Sequence, residues 1–478
     1  MIKNLFKNSF FKIIFICFLV IFLKLPIIIS KTPAVWDEAN YLEGVINIVN
    51  NNLNPLTLYW SYHPPVFVWT MAIFYKLFGN LLLTSRIINV IWAMIAASFT
   101  LLLAEKLIGK KLEAFLVALL LVFSPIFMAQ AGLIQLEIAL TALTITTVYF
   151  YYVNSWYWLG LSASALVLTK ESGLIIFLLI IIFEIISKLK DKKLNIFRLK
   201  SIKSISFILP LLSFLLWLQA NKLVHGWYLW PYNWSLFTNL SSNLIGNFKV
   251  IYLPLLGFSI SVYEVGYWSG VILALTTFMF FMKGKKIFKD KIIFLFVSII
   301  IFFPLVFIFG MPLVRYLLPI YPLVFLLFGL SMSNLKYKKI HLGTIIMILF
   351  IPFLISFWHK NMADWEVNMN YLEMAKYHKK IAQLVKDNYS DSKILSYWPI
   401  TIELIKPYLG YIDEGTVIDV FNIEELQNLS DYDYVLLDRN IFLNSKIFDK
   451  ADCLILKEKI KYSLEEIMLY SVDKMCLR

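Results

Sequence analysis

Six short stretches of the chain carry side chains able to do chemistry. Asp37 and Glu38 stand together within 35–41, and His63 precedes two prolines. Arg86 follows Ser85, and Glu137 comes two residues after Gln135. Lys170 and Glu171 lie within 168–173, and Arg315 and Tyr316 within 311–319. An ionised carboxylate can take a proton from an attacking hydroxyl. Cations can stabilise the negative charge that grows on a leaving group. A site holding both signs suits an anionic donor and a hydroxyl acceptor. Each residue also has a plainer reading. Acids are favoured at a helix start, so Asp37 and Glu38 could open a helix behind Pro33. Lys170 and Glu171 could form a structural pair, and a lone His63 could be structural. Arg86 could be an interfacial anchor, and Arg315 could snorkel to head groups.

The elements that must position these residues are long apolar runs. Hydrophobic residues make up 60% of the chain and charged residues 16%, with mean hydropathy +0.74. A soluble domain carries roughly 25% charge. About eleven runs are long or apolar enough to read as spans of a hydrocarbon core about 30 Å thick. They are 10–30, 84–105, 113–130, 136–153, 156–169, 172–187, 204–220, 264–282, 292–310, 313–332 and 341–358. The first could be a signal peptide, but Lys31-Thr32-Pro33 is not a small-residue cleavage site, so it reads as a retained span.

Charge sets the orientation. With a cytoplasmic N-terminus, every strongly basic loop (106–112, 188–203, 283–291 and 333–340) falls inside, as positive-inside topology requires. Loops 31–83 and 221–263 and the chain after about 360 then lie outside. So do the carboxylates Asp37, Glu38 and Glu137 and the cations Lys170 and Arg315. The net charge of +13 does not mark a nucleic-acid binder, because it is segregated. Residues 1–360 hold 30 Lys/Arg and 11 Asp/Glu, and residues 361–478 hold 14 and 20. The aromatic stretch 225–234 reads as an interfacial belt, or as a surface for sugar or lipid.

The expected fold class is therefore an all-α polytopic membrane domain, 1–360, followed by a small extracytoplasmic α/β domain, 361–478. In the tail, 366–388 has helical periodicity, 393–398 and 434–438 read as strands, and 399–409 could be helical. Cys453 and Cys476 could pair if that domain faces an oxidising compartment. Cys17 reads as a packing residue.

The order of these motifs resembles a known family. An acidic pair follows the first span, then His-Pro-Pro, an acid opening the fourth span, a Thr-Lys-Glu-x-Gly turn and a late Arg-Tyr-x-x-Pro. This is similar to the membrane glycosyltransferases of the C-type fold, in the protein-mannosyltransferase and aminoarabinose-lipid A transferase superfamily. The resemblance covers roughly 10–330. It implies a polyprenyl-phosphate-linked sugar donor, a lipid, glycan or protein acceptor, and inverting displacement at the outer face of a cell (inner) membrane. It implies Asp37 as catalytic base with Glu38 beside it, and Glu137 as the second acid. Lys170, Arg315 and Arg86 would meet the carrier phosphate, and His63, Tyr316 and Glu171 would line the substrate. Residues 129–132 lack the arginine that many relatives carry before the second acid. No cofactor is assigned. A divalent metal is compatible with the acids and His63, but a hard cation needs more oxygen ligands than can be assigned. The competing class is a transporter or flippase for a lipid-linked or small substrate. Transporters place binding groups near the bilayer midplane, often in repeated halves. Here the charges gather at one surface and no repeat is visible.

Overall fold

Asn8 opens the first helix, α1 (Ser9–Ile29), where its side chain accepts from the Phe10 N–H. The structure is a computed structural model. It describes residues 8–57, 63–109, 111–190, 202–231, 313–333, 368–444, 447–462 and 465–477, with 294, 297–299, 301, 302 and 366 besides. The expected spans 264–282 and 341–358 lie outside the described residues, and 292–310 is touched only at a few positions.

The segment 31–83, expected as an outer loop, carries helices among its described residues. Its α2 (Glu38–Asn50) buries Ala39, Leu42, Val45 and Ile48 along one stripe, as an amphipathic helix does. Its α3 (Val66–Phe78) follows the two prolines. Helix α4 (Leu81–Ile108) is capped by Asn80, which accepts from Leu83 N at 3.2 Å, and stopped by Gly109 at φ +71°. Its 28 residues extend about 42 Å, more than the roughly 30 Å thickness of a hydrocarbon core.

The third span, expected as one run over 113–130, is broken. Helix α5 (Lys111–Val122) and helix α6 (Pro125–Gly132) meet at a 60° bend. Pro125 explains the break, since it lacks an N–H and its ring clashes with the preceding turn. Helices α7 (Leu136–Tyr152), α8 (Trp156–Val167), α9 (Gly173–Lys190) and α10 (Ile202–His225) follow. The α8–α9 turn carries Lys170. It needs Gly173, because a Cβ there would lie 2.6 Å from the Leu166 carbonyl oxygen. The expected span 313–332 begins as a 3₁₀ turn (Val314–Ile320) containing Pro319, then continues as α11 (Tyr321–Ser333). Among the described residues α1, α4 and α10 are long and apolar enough to cross a membrane, and α5 with α6 makes a fourth if the bent pair is one span. The chain is a multi-pass helical membrane protein.

The tail holds α12 (Tyr371–Tyr389) and a five-stranded sheet. Its strands are β1 (Ile394–Ser396), β2 (Val420–Asn422), β3 (Tyr434–Asp438), β4 (Leu454–Tyr462) and β5 (Glu465–Val472), in the order β2-β1-β3-β5-β4. β1 is parallel to β2 and β3, while β5 is antiparallel to β3 and β4. Cys453 and Cys476 are bonded across the base of the β4–β5 hairpin, with Cα atoms 5.4 Å apart. The tail does not keep its core to itself. Leu42 and Phe67 of the outer loop share one apolar cluster with Tyr371, Ile394 and Leu437. Ala34 N donates to the Leu409 carbonyl at 2.8 Å, and Trp36 meets Trp398 edge-on at 4.9 Å.

Candidate active site

Asp37 and Glu38 are neighbours with opposite surroundings. Trp36 has a left-handed φ of +50° and turns the chain into α2. Asp37 occupies the N-cap position yet makes no side-chain cap. Instead its Oδ2 accepts from Arg315 Nη2 at 2.6 Å, and its side chain stays 34% exposed. This decides against a mere helix-start role. Glu38 is fully buried and accepts from Val35 N at 2.6 Å, from Ile134 N and from Arg86.

Arg86 is buried with it. Besides Glu38 it donates to the carbonyls of Thr32 at 3.2 Å, Pro33 at 3.1 Å and Gly132. Asn89, one turn along α4, donates to the carbonyls of Gln130 at 2.8 Å and Leu133 at 2.6 Å. The break after α6 frees these backbone groups, and the α4 side chains satisfy them. Glu38 and Arg86, expected at the catalytic and phosphate-binding positions, are paired with each other here. Both are buried among protein partners, while Arg86 Nε has none among the described residues. They clamp the Thr32–Glu38 segment onto the 132–134 link.

Arg315, on the 3₁₀ turn, is buried between two acids. Nη2 meets Asp37, and Nη1 donates to Glu366. The Glu366 backbone carbonyl accepts from Gln130 Nε2 at 2.8 Å. Lys170 pairs with Glu137 at 2.9 Å, across the α7 start, and not with its neighbour Glu171. Its ammonium lies 3.7 Å from the Tyr316 ring centre, and the Arg315 guanidinium lies 5.5 Å from the same ring. Burial pulls Lys170 down, but the Glu137 carboxylate and Tyr316 together outweigh it and hold the ammonium above its ordinary value. Glu171 pairs with His63 Nδ1 at 2.9 Å, and nearby Val66 N donates to the Leu168 carbonyl at 2.9 Å. His63 thereby ties the outer loop to the α8–α9 turn.

The structure thus brings Asp37, Glu137, Lys170, Arg315 and Tyr316 together, with His63 and Glu171 joined beside them. It adds two residues that the sequence reading does not contain. Glu366 comes from a distant segment with no spacing signal. Tyr41 sits one turn after Asp37. Burial, with the Glu137 and Asp37 carboxylates behind it, pushes the Tyr41 hydroxyl well above its ordinary value, so it stays a neutral donor. Among the described residues, Glu137 Oε2, Glu171 Oε1 and Arg315 Nε are buried without a partner, as are both amide atoms of Gln135, two residues before Glu137. Such groups are rare in protein interiors and call for an explanation. Among the described residues no group of three or more His, Cys, Asp or Glu is placed to hold a metal ion. Asp37 and Glu366 are both committed to Arg315.

Residues 62–217 match the family described as dolichyl-phosphate-mannose-protein mannosyltransferase. No curated protein matches the chain. Solved structures are similar over nearly its full length. ArnT from Cupriavidus metallidurans in the apo state gives a TM-score of 0.56 at 11% identity, over 96% of this chain and 98% of that one. The same protein bound to undecaprenyl phosphate gives 0.53 at 11% identity, over 95% and 97%. The oligosaccharyltransferase AglB from Archaeoglobus fulgidus, with an inhibitory peptide and a dolichol-phosphate, gives 0.51 at 12% identity, over 92% and 70%. The chain has the C-type fold of the membrane glycosyltransferases, and its residues 62–217 are matched by the mannosyltransferase family of that fold.

Proposed function

We propose that this protein is an integral membrane glycosyltransferase that moves a sugar from a polyprenyl-phosphate carrier to an acceptor hydroxyl at the extracytoplasmic face. The observation that carries the reading is the Asp37–Arg315 pair, a partly exposed carboxylate on a buried guanidinium, with Lys170–Glu137 beside it. The acceptor hydroxyl attacks the anomeric carbon and its proton passes to Asp37. The bond from the anomeric carbon to the phosphate oxygen breaks, and its electron pair stays with the phosphate. Arg315 and Lys170 meet the charge that grows there. A single displacement of this kind inverts the anomeric centre. The unpartnered Gln135 amide and Glu137 Oε2 suit the hydroxyl groups of a sugar. The ligands of the similar structures, undecaprenyl phosphate in ArnT and a dolichol-phosphate in AglB, support a lipid-phosphate carrier here. The acceptor is a lipid, glycan or protein.

The test is incubation of the purified protein with a panel of polyprenyl-phosphate sugars and candidate acceptors. At least one donor should release its free carrier phosphate. A transporter or flippase would return every donor intact.

The orientation follows from the basic loops. We assign eleven spans, a cytoplasmic N-terminus and a tail, 361–478, outside an inner membrane. His225 at the end of α10 contacts the Leu56 carbonyl at 2.9 Å, consistent with loops 31–83 and 221–263 sharing a face. The Cys453–Cys476 bond supports an oxidising surrounding for the tail. Reporter fusions after Lys193, Lys286 and Lys338 should read cytoplasmic, and fusions near Asn51 and Asn428 should read outside. An outside signal at Lys193 would break the alternation and the span count with it.

A further inference from the structure

Arg315 faces more acid than one guanidinium can neutralise. It donates to Asp37 at 2.6 Å and to Glu366, and Lys170 pairs with Glu137 at 2.9 Å. Among the described residues these contacts join three carboxylates and two cations, a formal charge of −1. A carrier phosphodiester brings one more negative charge. Repulsion between like charges is strong where water is scarce. An arginine fork usually holds a phosphate through two parallel N–H bonds. Here each Nη group already spends an N–H on a carboxylate, which leaves the buried Nε as the donor without a partner among the described residues.

The excess of negative charge is relieved if one carboxylate takes up a proton and gives way. Asp37 has to stay ionised to accept the hydroxyl proton, and Glu137 is held by Lys170. Glu366 is left. Its backbone carbonyl is fixed by Gln130 Nε2 at 2.8 Å, so its side chain can release Arg315 while the backbone stays in place. Building on the glycosyltransferase reading, we infer that Glu366 is a competing carboxylate. It occupies Arg315 until the lipid-linked phosphate displaces it, and it takes up one proton from solvent as it lets go.

The groups facing Glu366 are Arg315 from the 3₁₀ turn, Asp37 from the outer loop and Glu137 from α7. Burial pushes its carboxyl up, Arg315 opposes, and Asp37 and Glu137 push further the same way, to about 7. The sign follows. Below that value Glu366 is neutral and Arg315 is open to the donor. Above it Glu366 is ionised and competes. If only the protonated protein binds, the competent fraction is roughly nine-tenths one unit below and one in eleven one unit above. Apparent affinity should then weaken roughly tenfold between about pH 6 and about pH 8.

The experiment uses the full chain in detergent and citronellyl methyl phosphate, an isoprenyl phosphodiester whose single charge is constant over this range. Calorimetry at both pH values, in two buffers of different ionisation heat, reads affinity and proton uptake. The parent should bind roughly tenfold more weakly at the higher pH, with close to one proton taken up there per molecule bound. Folded Glu366→Gln should bind tightly at both pH values and take up none. Equal parent affinity at the two pH values, zero uptake, or a folded Glu366→Gln that binds more weakly than the parent at about pH 8 would each overturn the inference alone. The parent's own pH dependence serves if the variant does not fold. If the parent binds no probe at either pH, the glycosyltransferase reading fails and this inference falls with it.

Discussion

Asp37→Asn lowers single-turnover transfer roughly 10²-fold or more, the usual scale for losing a general base, while donor binding does not weaken. Asparagine keeps the shape of the side chain, and its Oδ1 can still accept from Arg315 Nη2, which now lies 2.6 Å from Asp37. What disappears is the basicity. The acceptor hydroxyl then has no nearby carboxylate to take its proton as the new bond forms. Donor affinity has no reason to fall, because the charged pairs around Arg315 and Lys170 already carry one carboxylate in excess and the substitution removes it. Tyr41 cannot substitute as the base. Its hydroxyl is held well above its ordinary value by burial and by the neighbouring acids. The measurements are donor affinity and single-turnover rate, with folding checked by thermal unfolding in detergent. Transfer at the parent rate would remove Asp37 from the role of base.

Arg315→Ala produces a different pattern. The guanidinium is the cation on which Asp37 and Glu366 converge. Without it three carboxylates face Lys170 alone, and the local formal charge falls from −1 to −2. An anionic donor is then repelled in the ground state, and the leaving phosphate loses a fixed partner in the transition state. Donor affinity and the chemical step should both suffer, with kcat/KM down roughly 10³-fold. Arg315→Lys should recover part of this, because an ammonium supplies charge without the two-pronged fork. A variant that folds, binds donor more weakly and yet turns over normally at saturation would confine Arg315 to ground-state binding.

Much of this site can be read along the chain, because each acid or cation stands at the end of an apolar run. Charged groups near a bilayer gather in protein interiors or wet cavities, and one-sided basic loops put Asp37, Glu137, Lys170 and Arg315 on one face. What a linear reading cannot give is which partner each charge takes. Lys170 and Glu171 look like a pair because they are adjacent, yet the turn before Gly173 sends one to Glu137 and the other to His63. Asp37 and Glu38 look alike, but the left-handed Trp36 and the start of α2 expose one and bury the other. Arg86 reads as an interfacial anchor or a phosphate ligand until the break after α6 supplies the Gly132 carbonyl for it to hold. Glu366 gives no signal because its contact with Arg315 closes over a long separation. The β4–β5 hairpin hides for another reason. A register shift between Leu456 and Glu458 interrupts the alternation that marks a strand.

The central claim is that the sugar leaves its carrier by cleavage of the bond between the anomeric carbon and the phosphate oxygen. A donor labelled in both the sugar and the phosphorus tests it directly. Incubated with the purified protein and an acceptor, the sugar label should pass to the acceptor. The phosphorus label should remain on the lipid as free polyprenyl phosphate, one for each sugar moved, and Asp37→Asn should abolish most of both. Donor recovered with both labels still together, or phosphorus travelling with the sugar, would contradict the account.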